Sequence, residues 1–547
     1  MDGGSKALGD GSGTPGWRGA KTCDVRRVPS RCRSFAKAPG ITMDALFEIK
    51  LDIAGRGTRA SGRTLYEELK AAIIDGRLRP GTQLPATRAS ATFFAVSRNT
   101  AVQAYHRLLN EGLLVSRQGS GTYVADALPV SKGKKGATAV PATSHPALNP
   151  FWLRKDVTSA MGFWRDTPDI TAASAPSLDF RPALIDPRLF PFDIFRRVMS
   201  GQLRGLEKRP ARYKSPQGNQ GNYHLRQAIT RHIALMRAVV CGADDILVTS
   251  GAQQAFDLLA RVLVTPGQTV VAVEDPGYPP MRVAFAAAGA TVVPVPVDDE
   301  GLMVDRLPAN AGVICLCPSH QFPLGISMSP RRRQALLDLA RQRGAVIVED
   351  DYDGEFRHEG SPLEVLRTPE HADTVFYVGT FSKCMLPSLR LGYLVAPPWT
   401  MPTLVAAKNC MDWHCSTPIQ LGVARFIDEG HLATHVRRMR QRYRERREAL
   451  IEVMDAQAPA LTPLPSSYGM HLSATVRDGI DTEAVAEFLQ QRQVRLHTLN
   501  RYYHGAVDRH GFVFGFGASE PEQIRRVGEA LAEALSANRH RRNGPDE

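Results

Sequence analysis

Apolar positions along the chain fall into three regimes. From 64 to 124 they recur at helical spacing: Leu65, Leu69, Ile73 and Ile74 predict a helix that Gly76 ends. Pro80-Gly81 turns the chain, Leu84-Pro85 leads into a short helix from Thr87, and Ala95-Val96 makes a tight connection. Ser97 suits the N-cap of a further helix over 98–111, with Val102, Tyr105, Leu108 and Leu109 on its inner face. Gly112 ends that helix, and 114–117 pairs with 122–124 around Gln118-Gly119-Ser120-Gly121 as a hairpin. From about 179 to 537 a second regime begins, with short β-rich runs at 269–273, 292–297, 313–317, 345–348 and 374–378. Helical stretches such as 254–263 and 331–343 separate them, which predicts a parallel sheet covered by helices on both faces. The third regime has no period. It comprises 1–42, rich in Gly, Arg, Ser and Pro, and the Ala/Pro/Thr/Ser-rich linker 126–178, with Trp152 and Trp164 docking its far end.

Length and composition narrow the class. At 547 residues the chain exceeds one ordinary domain of about 100–200 residues. With 43% hydrophobic and 22% charged residues it can build two or three cores, which excludes wholesale disorder. No stretch approaches the roughly 18 uninterrupted apolar residues of a membrane span. The net charge of +13 is compatible with a polyanionic partner. In 1–42, eight basic residues face three acidic ones, yet glycines break any amphipathic transit helix and no apolar signal core is present. This segment is expected to be a disordered basic extension, with Met43 as an alternative start; 538–547 is expected to be a short basic tail. Eight Cys without a CxxC pair point to reduced thiols in a cytoplasm.

The front module has the layout of a DNA reader. Its third helix exposes Arg98, Asn99 and Thr100 at the N-terminal turn, where a recognition helix meets base edges and phosphates. Arg and Asn suit bidentate base contacts, whereas Ser97 and Thr100 suit phosphates. A helix-turn-helix can also serve as scaffold alone.

The large module carries an ordered set of chemical groups. Ser250-Gly251-Ala252 follows a strand-like run and starts a helix, where free N–H groups favour an anion. Glu349-Asp350-Asp351-Tyr352-Asp353 ends a buried run, at the sheet edge where open α/β folds bind ligands. Thr380, Ser382 and Lys383 follow the next β run, and Arg390 comes seven residues later. An anion cradle, an acid, an amine and a planar cation are what pyridoxal 5'-phosphate requires. The acid cluster alone could hold a divalent metal or form a solvated loop. Cys315, Cys317 and His320, or Cys410, His414 and Cys415, raise zinc, but neither set has a second ligand pair and small buried Cys is the ordinary reading.

Two resemblances sharpen these readings. Gly76-Arg-Leu-Arg-Pro-Gly-Thr-Gln-Leu-Pro, Arg88, Val96-Ser-Arg-Asn-Thr, Glu111-Gly-Leu-Leu and Gly119-Ser-Gly-Thr-Tyr-Val resemble the winged helix-turn-helix of GntR-type regulators. The resemblance implies DNA contacts from Arg88, from Ser97 to Thr100 and from Gly119; helix 2, reading Arg88-Ala-Ser-Ala-Thr-Phe-Phe, matches least. The large module resembles fold-type I aminotransferases, with a smaller α+β subdomain. That likeness implies a phosphate loop at Ser250-Gly251-Ala252, a ring-stacking Tyr278, Asp350 at the pyridine nitrogen and Tyr352 at the ring oxygen. It further implies Lys383 as the cofactor-bonding lysine, with Thr380, Ser382 and Arg390 on the phosphate. The departures are Ser215-Pro-Gln-Gly-Asn-Gln-Gly221, longer than the usual Asp-Pro-x-Gly turn, Phe322 where aminotransferases place Asn before Pro-x-Gly, and a C-terminal strand 512–517 without their carboxylate-binding Arg, leaving Arg501 or Arg509. Together the chain resembles the MocR/GabR family of bacterial regulators over about 45–535. This implies a homodimer, head-to-tail, an operator with two half-sites and an amino-compound effector, with active transamination as the alternative. The expected division is 43–125 winged helix, 126–178 linker and 179–537 aminotransferase-like domain.

Overall fold

The computed structural model describes residues 59–126, 148–161, 178–208, 218–358 and 365–542. The expected extension 1–42, most of the linker and Trp164 lie outside these residues. Two compact units divide at about residue 140.

The first unit contains α1 (Arg59–Ile74), β1 (Gln83–Leu84), α2 (Thr87–Phe93), α3 (Arg98–Asn110), β2 (Leu114–Arg117) and β3 (Gly121–Val124). Its three-stranded sheet has the order β1–β3–β2, so the hairpin is a wing braced by the short strand before α2. Leu65, Leu69 and Ile73 are buried, whereas Ile74 is exposed, one position past the last inward turn of α1. On α3 the inward face is Ala101, Ala104, Tyr105 and Leu108, while Val102 points to solvent. The small alanines of this inward face allow neighbouring helices to pack closely. Ser90, in the helix that matches the family least, is fully buried and shares a 2.6 Å hydrogen bond with the Tyr105 hydroxyl. Tyr105 Oη also donates to the Pro85 carbonyl at 3.1 Å, so this polar pair locks α2 onto α3.

The second unit opens with α4 (Lys155–Met161) inside the expected linker. Val157 and Ala160 are buried and pack on Val283, whereas Trp152 is exposed, so small aliphatics and not this tryptophan dock the segment. Then come α5 (Phe192–Glu207), α6 (Tyr223–Arg237), β4 (Ile246–Thr249), α7 (Ala252–Leu263), β5 (Val270–Asp275), α8 (Pro279–Ala287), β6 (Thr291–Asp298) and β7 (Gly301–Leu302). They continue with β8 (Ala311–Leu316), α9 (Pro330–Arg343), β9 (Val346–Asp351), β10 (Val375–Thr380) and β11 (Gly392–Val395). The eight-stranded sheet runs β4–β11–β10–β9–β8–β5–β6–β7. It is mixed rather than wholly parallel, because β11 lies antiparallel between β10 and β4 and β7 turns back on β6. Three apolar clusters cover its faces, one built around α7 and α8, one around α9, and one joining α6 to the C-terminal helices.

After α10 (Met401–Met411), α11 (Thr417–Asp428) and α12 (His431–Asp455), a smaller α+β layer forms. It contains β12 (Leu461–Pro463), β13 (His471–Val476), α13 (Thr482–Gln491), β14 (His497–Thr498), β15 (Gly511–Gly515) and α14 (Pro521–Arg542). Its antiparallel sheet has the order β12–β13–β15–β14. α14 runs on to Arg542, past the boundary expected at 537. No helix among the described residues is long and apolar enough to cross a membrane.

Candidate functional site

Strands β4, β9 and β10 point the same way, so their carboxyl ends share one edge of the large sheet. Thr249 of β4 leads to Ser250-Gly251 and the start of α7. Gly251 has φ +81 and lies so close to Arg390 that a Cβ would meet its guanidinium at 3.1 Å, so only glycine keeps the loop open there. Arg390 donates to the Ser250 carbonyl at 3.0 Å and itself adopts a left-handed φ of 47. Thr380 Oγ1 accepts from the Ser382 amide at 3.2 Å and donates to the Ser382 hydroxyl at 3.0 Å. Ser250, Gly251, Ala252, Thr380, Ser382 and Arg390 thus converge on one helix N-terminus from three strand ends.

The acid cluster splits by task. Asp351 is held by Arg237 Nε at 2.6 Å and by the Tyr377 hydroxyl at 2.5 Å, which ties β9 to α6 and β10. Glu349 accepts the Leu366 and Arg367 amides, and burial pushes its carboxyl up to about 7. Asp350 is different. One oxygen receives only the Cys317 thiol at 3.7 Å, and Oδ1 is buried without a hydrogen-bond partner among the described residues. Burial first, then the neighbouring Asp351 charge, raises this carboxyl to about 8. A buried oxygen with no donor suits a cationic N–H, as a protonated pyridine would present.

Lys383 Nζ donates to the Ala183 carbonyl at 3.2 Å. Burial lowers its pKa to about 8, against the pull of Asp353 and Asp350, so a useful fraction of neutral amine exists near neutrality. Tyr278 caps the start of α8 and meets Phe322 edge-to-face with centroids 6.0 Å apart. Phe322 occupies the position of the expected Asn, buried against Tyr278, Tyr352 and Tyr502. The Tyr352 hydroxyl lies 3.0 Å from His320 Nδ1 and donates to the His320 carbonyl at 3.1 Å. His320 in turn is 3.0 Å from Asp353, and its ring lies 4.5 Å from that of His471. The sequence weighed His320 only with the nearby Cys315 and Cys317; tertiary folding groups it with Asp353 and the distant His471. Burial lowers both imidazoles to about 3, so they are neutral at physiological pH. Of the two arginines considered for a carboxylate, Arg509 is paired with Asp299 at 2.9 Å and Arg501 is exposed.

In the winged unit, Arg88 is exposed on the first turn of α2, and Arg98 and Asn99 are exposed on the first turn of α3. Ser97 Oγ accepts from the Thr100 amide at 3.1 Å and bonds the Thr100 hydroxyl at 2.8 Å, so both side chains serve the N-cap. Gly119, φ +72, sits at the wing tip, where Ser120 and Tyr123 share a 2.6 Å hydrogen bond and Arg117 packs 4.7 Å from the Tyr123 ring.

Comparison with known proteins gives two family matches along the chain. Residues 62–124 match the family described as bacterial regulatory proteins, gntR family, and residues 192–511 match aminotransferase class I and II. The Pyrococcus horikoshii kynurenine aminotransferase, solved with PMP, kynurenine and kynurenate, is 27% identical with TM-score 0.61, over 66% of this chain and 92% of that one. LysN, the α-aminoadipate aminotransferase of Thermus thermophilus, is 26% identical with TM-score 0.60, over 66% and 93% of the two chains. Fold and site therefore define a winged helix-turn-helix coupled to a fold-type I aminotransferase-like domain. Relatives with both parts include the probable rhizopine catabolism regulatory protein MocR of Rhizobium meliloti, 33% identical over 87% of this chain and 94% of its own length. The pyridoxine biosynthesis regulator PdxR of Corynebacterium glutamicum is 30% identical over 86% and 95%. The chain belongs to the MocR/GabR family and is a DNA-binding transcription regulator.

Proposed function

We propose that the aminotransferase-like domain binds pyridoxal 5'-phosphate and senses an amino compound, altering how paired winged helices engage an operator. The observation that carries this reading is the joint placement, on one sheet edge, of the Ser250-Gly251/Arg390 cradle, the unpartnered Asp350 Oδ1 and the Lys383 amine. When bound, the cofactor supplies an electrophilic carbon that an effector's amine can attack. Ser250, Gly251 and Ala252 with Thr380, Ser382 and Arg390 would hold its phosphate, Asp350 its ring nitrogen, Tyr352 its ring oxygen, and Tyr278 would stack on the ring. Lys383 would hold the cofactor covalently through Nζ, and the same amine could accept or return a proton there. Kynurenine aminotransferase, at 27% identity, was solved with PMP, which supports a B6 ligand for this fold.

The division expected from the sequence, 43–125 winged helix, 126–178 linker and 179–537 ligand domain, is proposed with two changes: α4 of the linker packs on the ligand domain, and α14 extends that domain to Arg542. Arg98 and Asn99 would read bases, Arg88 phosphates, and Ser97, Thr100 and Gly119 would shape the approach. Fold-type I sites are completed across a dimer, so a head-to-tail homodimer on two half-sites is the expected assembly, working on DNA in the cytoplasm. Sensing is favoured over turnover because Phe322 replaces a polar anchor and Arg509 is already paired. The test incubates holoprotein with amino acids and 2-oxoglutarate and measures both operator affinity and glutamate. Altered affinity without turnover supports sensing; sustained turnover above roughly 1 per second, ordinary for enzymes, overturns it.

A further inference from the structure

Lys408, on α10, is fully buried and lies beneath the phosphate loop rather than in it. Its ammonium donates to Asp412 Oδ1 at 2.8 Å, to Gln254 Oε1 at 3.0 Å and toward the Cys415 thiol at 3.7 Å. Gln254 stands in the first turn of α7, and the same Oε1 accepts the Ser250 amide at 2.7 Å. Its Nε2 donates to Asp412 Oδ2 at 2.8 Å, so Lys408, Asp412 and Gln254 close a ring of hydrogen bonds. Ser250 is consequently held at both ends of its peptide, by Gln254 at the amide and by Arg390 at the carbonyl. The Ser250 hydroxyl also contacts Cys415 at 3.5 Å. A charged amine is costly to bury unless its contacts do something for the fold or for a ligand. Here the charge stands one side chain away from a helix N-terminus suited to an anion.

We infer that Lys408 is a positioning residue for the phosphate of the B6 ligand: through Gln254 it fixes Ser250 in the conformation that receives the anion. The inference rests on the pyridoxal phosphate reading above. The expected consequence is selective. Lys408 should matter for pyridoxal 5'-phosphate and little for pyridoxal, which has the same ring and aldehyde but no phosphate.

The experiment measures apparent Kd for both compounds by visible absorbance on the full-length protein stripped of cofactor. The parent should bind pyridoxal 5'-phosphate far more tightly than pyridoxal. Lys408→Met and Gln254→Met should each weaken the phosphorylated compound by about tenfold or more, the scale of one lost hydrogen bond to a charged group. Pyridoxal should weaken less than about threefold, since no contact to its ring is removed. The double variant should lose no more than either single one, because both cut the same path. Asp412 keeps 29% side-chain exposure, so its carboxylate can be hydrated when Lys408 is removed. If Lys408→Met does not fold, Asp412→Asn, which loosens the lysine without removing it, should show a smaller loss of the same selectivity. Variants that discriminate as the parent does, or a double variant with summed losses, overturn the inference alone. A parent that binds both compounds equally overturns the cofactor reading as well.

Discussion

Asp350→Asn should make the cofactor-free protein more stable at alkaline pH and at the same time weaken its cofactor binding. The carboxyl is buried, and its pKa is raised from an ordinary 3.8 to about 8, chiefly by burial and secondarily by Asp351. The native state therefore retains a proton that the unfolded chain releases from about pH 4 upward. The penalty on the native state is absent below pH 4, grows between pH 4 and 8, and is complete above 8. Roughly four pH units at about 1.4 kcal/mol each set a ceiling near 6 kcal/mol. The Asp351 part of that figure relaxes as the cluster adjusts, leaving on the order of 2–4 kcal/mol for Asn to relieve. The substitution keeps shape and removes the ionisable group. Thermal melts of the stripped parent and variant should come together at and below pH 4 and diverge at pH 8.5, with the variant higher by several degrees. Absorbance titration with pyridoxal 5'-phosphate at pH 8 should show the opposite order, since the neutral amide cannot balance a pyridinium charge. A variant that melts with the parent at pH 8.5, or binds the cofactor equally well, would refute the assignment of Asp350 as a buried acid kept for a cation.

Lys383→Ala should abolish borohydride-fixed attachment of pyridoxal 5'-phosphate, read by mass spectrometry, while phosphate-held ligand persists; a reduced adduct still on the chain would show that another amine bonds it. Arg98→Ala should cost roughly 1–3 kcal/mol on the specific operator by anisotropy, whereas Arg88→Ala should weaken all duplexes alike and flatten the salt slope by about one. Unchanged operator affinity for Arg98→Ala would remove α3 as the reading element. Gly469→Ala should destabilise the large unit by at least about 1–3 kcal/mol, because its left-handed Cβ would collide with the His320 ring and Asp353. Gly267→Ala, also left-handed but with open space around it, is the control, and equal melting of the two would discount the packing argument.

Local rules made much of this protein legible. The five β-rich runs between 269 and 378 all became strands, because each is a short apolar run between turn and helix signals. Ser97 could be named as an N-cap since capping depends on one side chain and the next three residues. Ser250, Asp350, Lys383 and Arg390 could be listed in order from their motifs; a common strand direction carries the first three to one edge, and the antiparallel β11 starts there with Arg390 just before it.

What required the folded chain was everything that depends on distant neighbours. Helical period alone could not decide that α3 turns Ala101 and Ala104 inward and Val102 outward, because that rotation is settled by packing against the rest of the unit. It could not foresee β11 running antiparallel between β10 and β4, since chain direction in a sheet follows from loop paths. His320 looked like a companion of nearby cysteines until the turn at Gly469 brought His471 against it across some 150 positions. Lys408 belongs to no motif of the sequence; the packing of α10 against α7 buries it beside Gln254. Sequence determined which elements form and which chemical groups stand at their ends, because those are short-range properties of the backbone and side chains. Tertiary structure alone decided which groups lose water and whose charge they then feel, because burial and Coulomb interaction act through space.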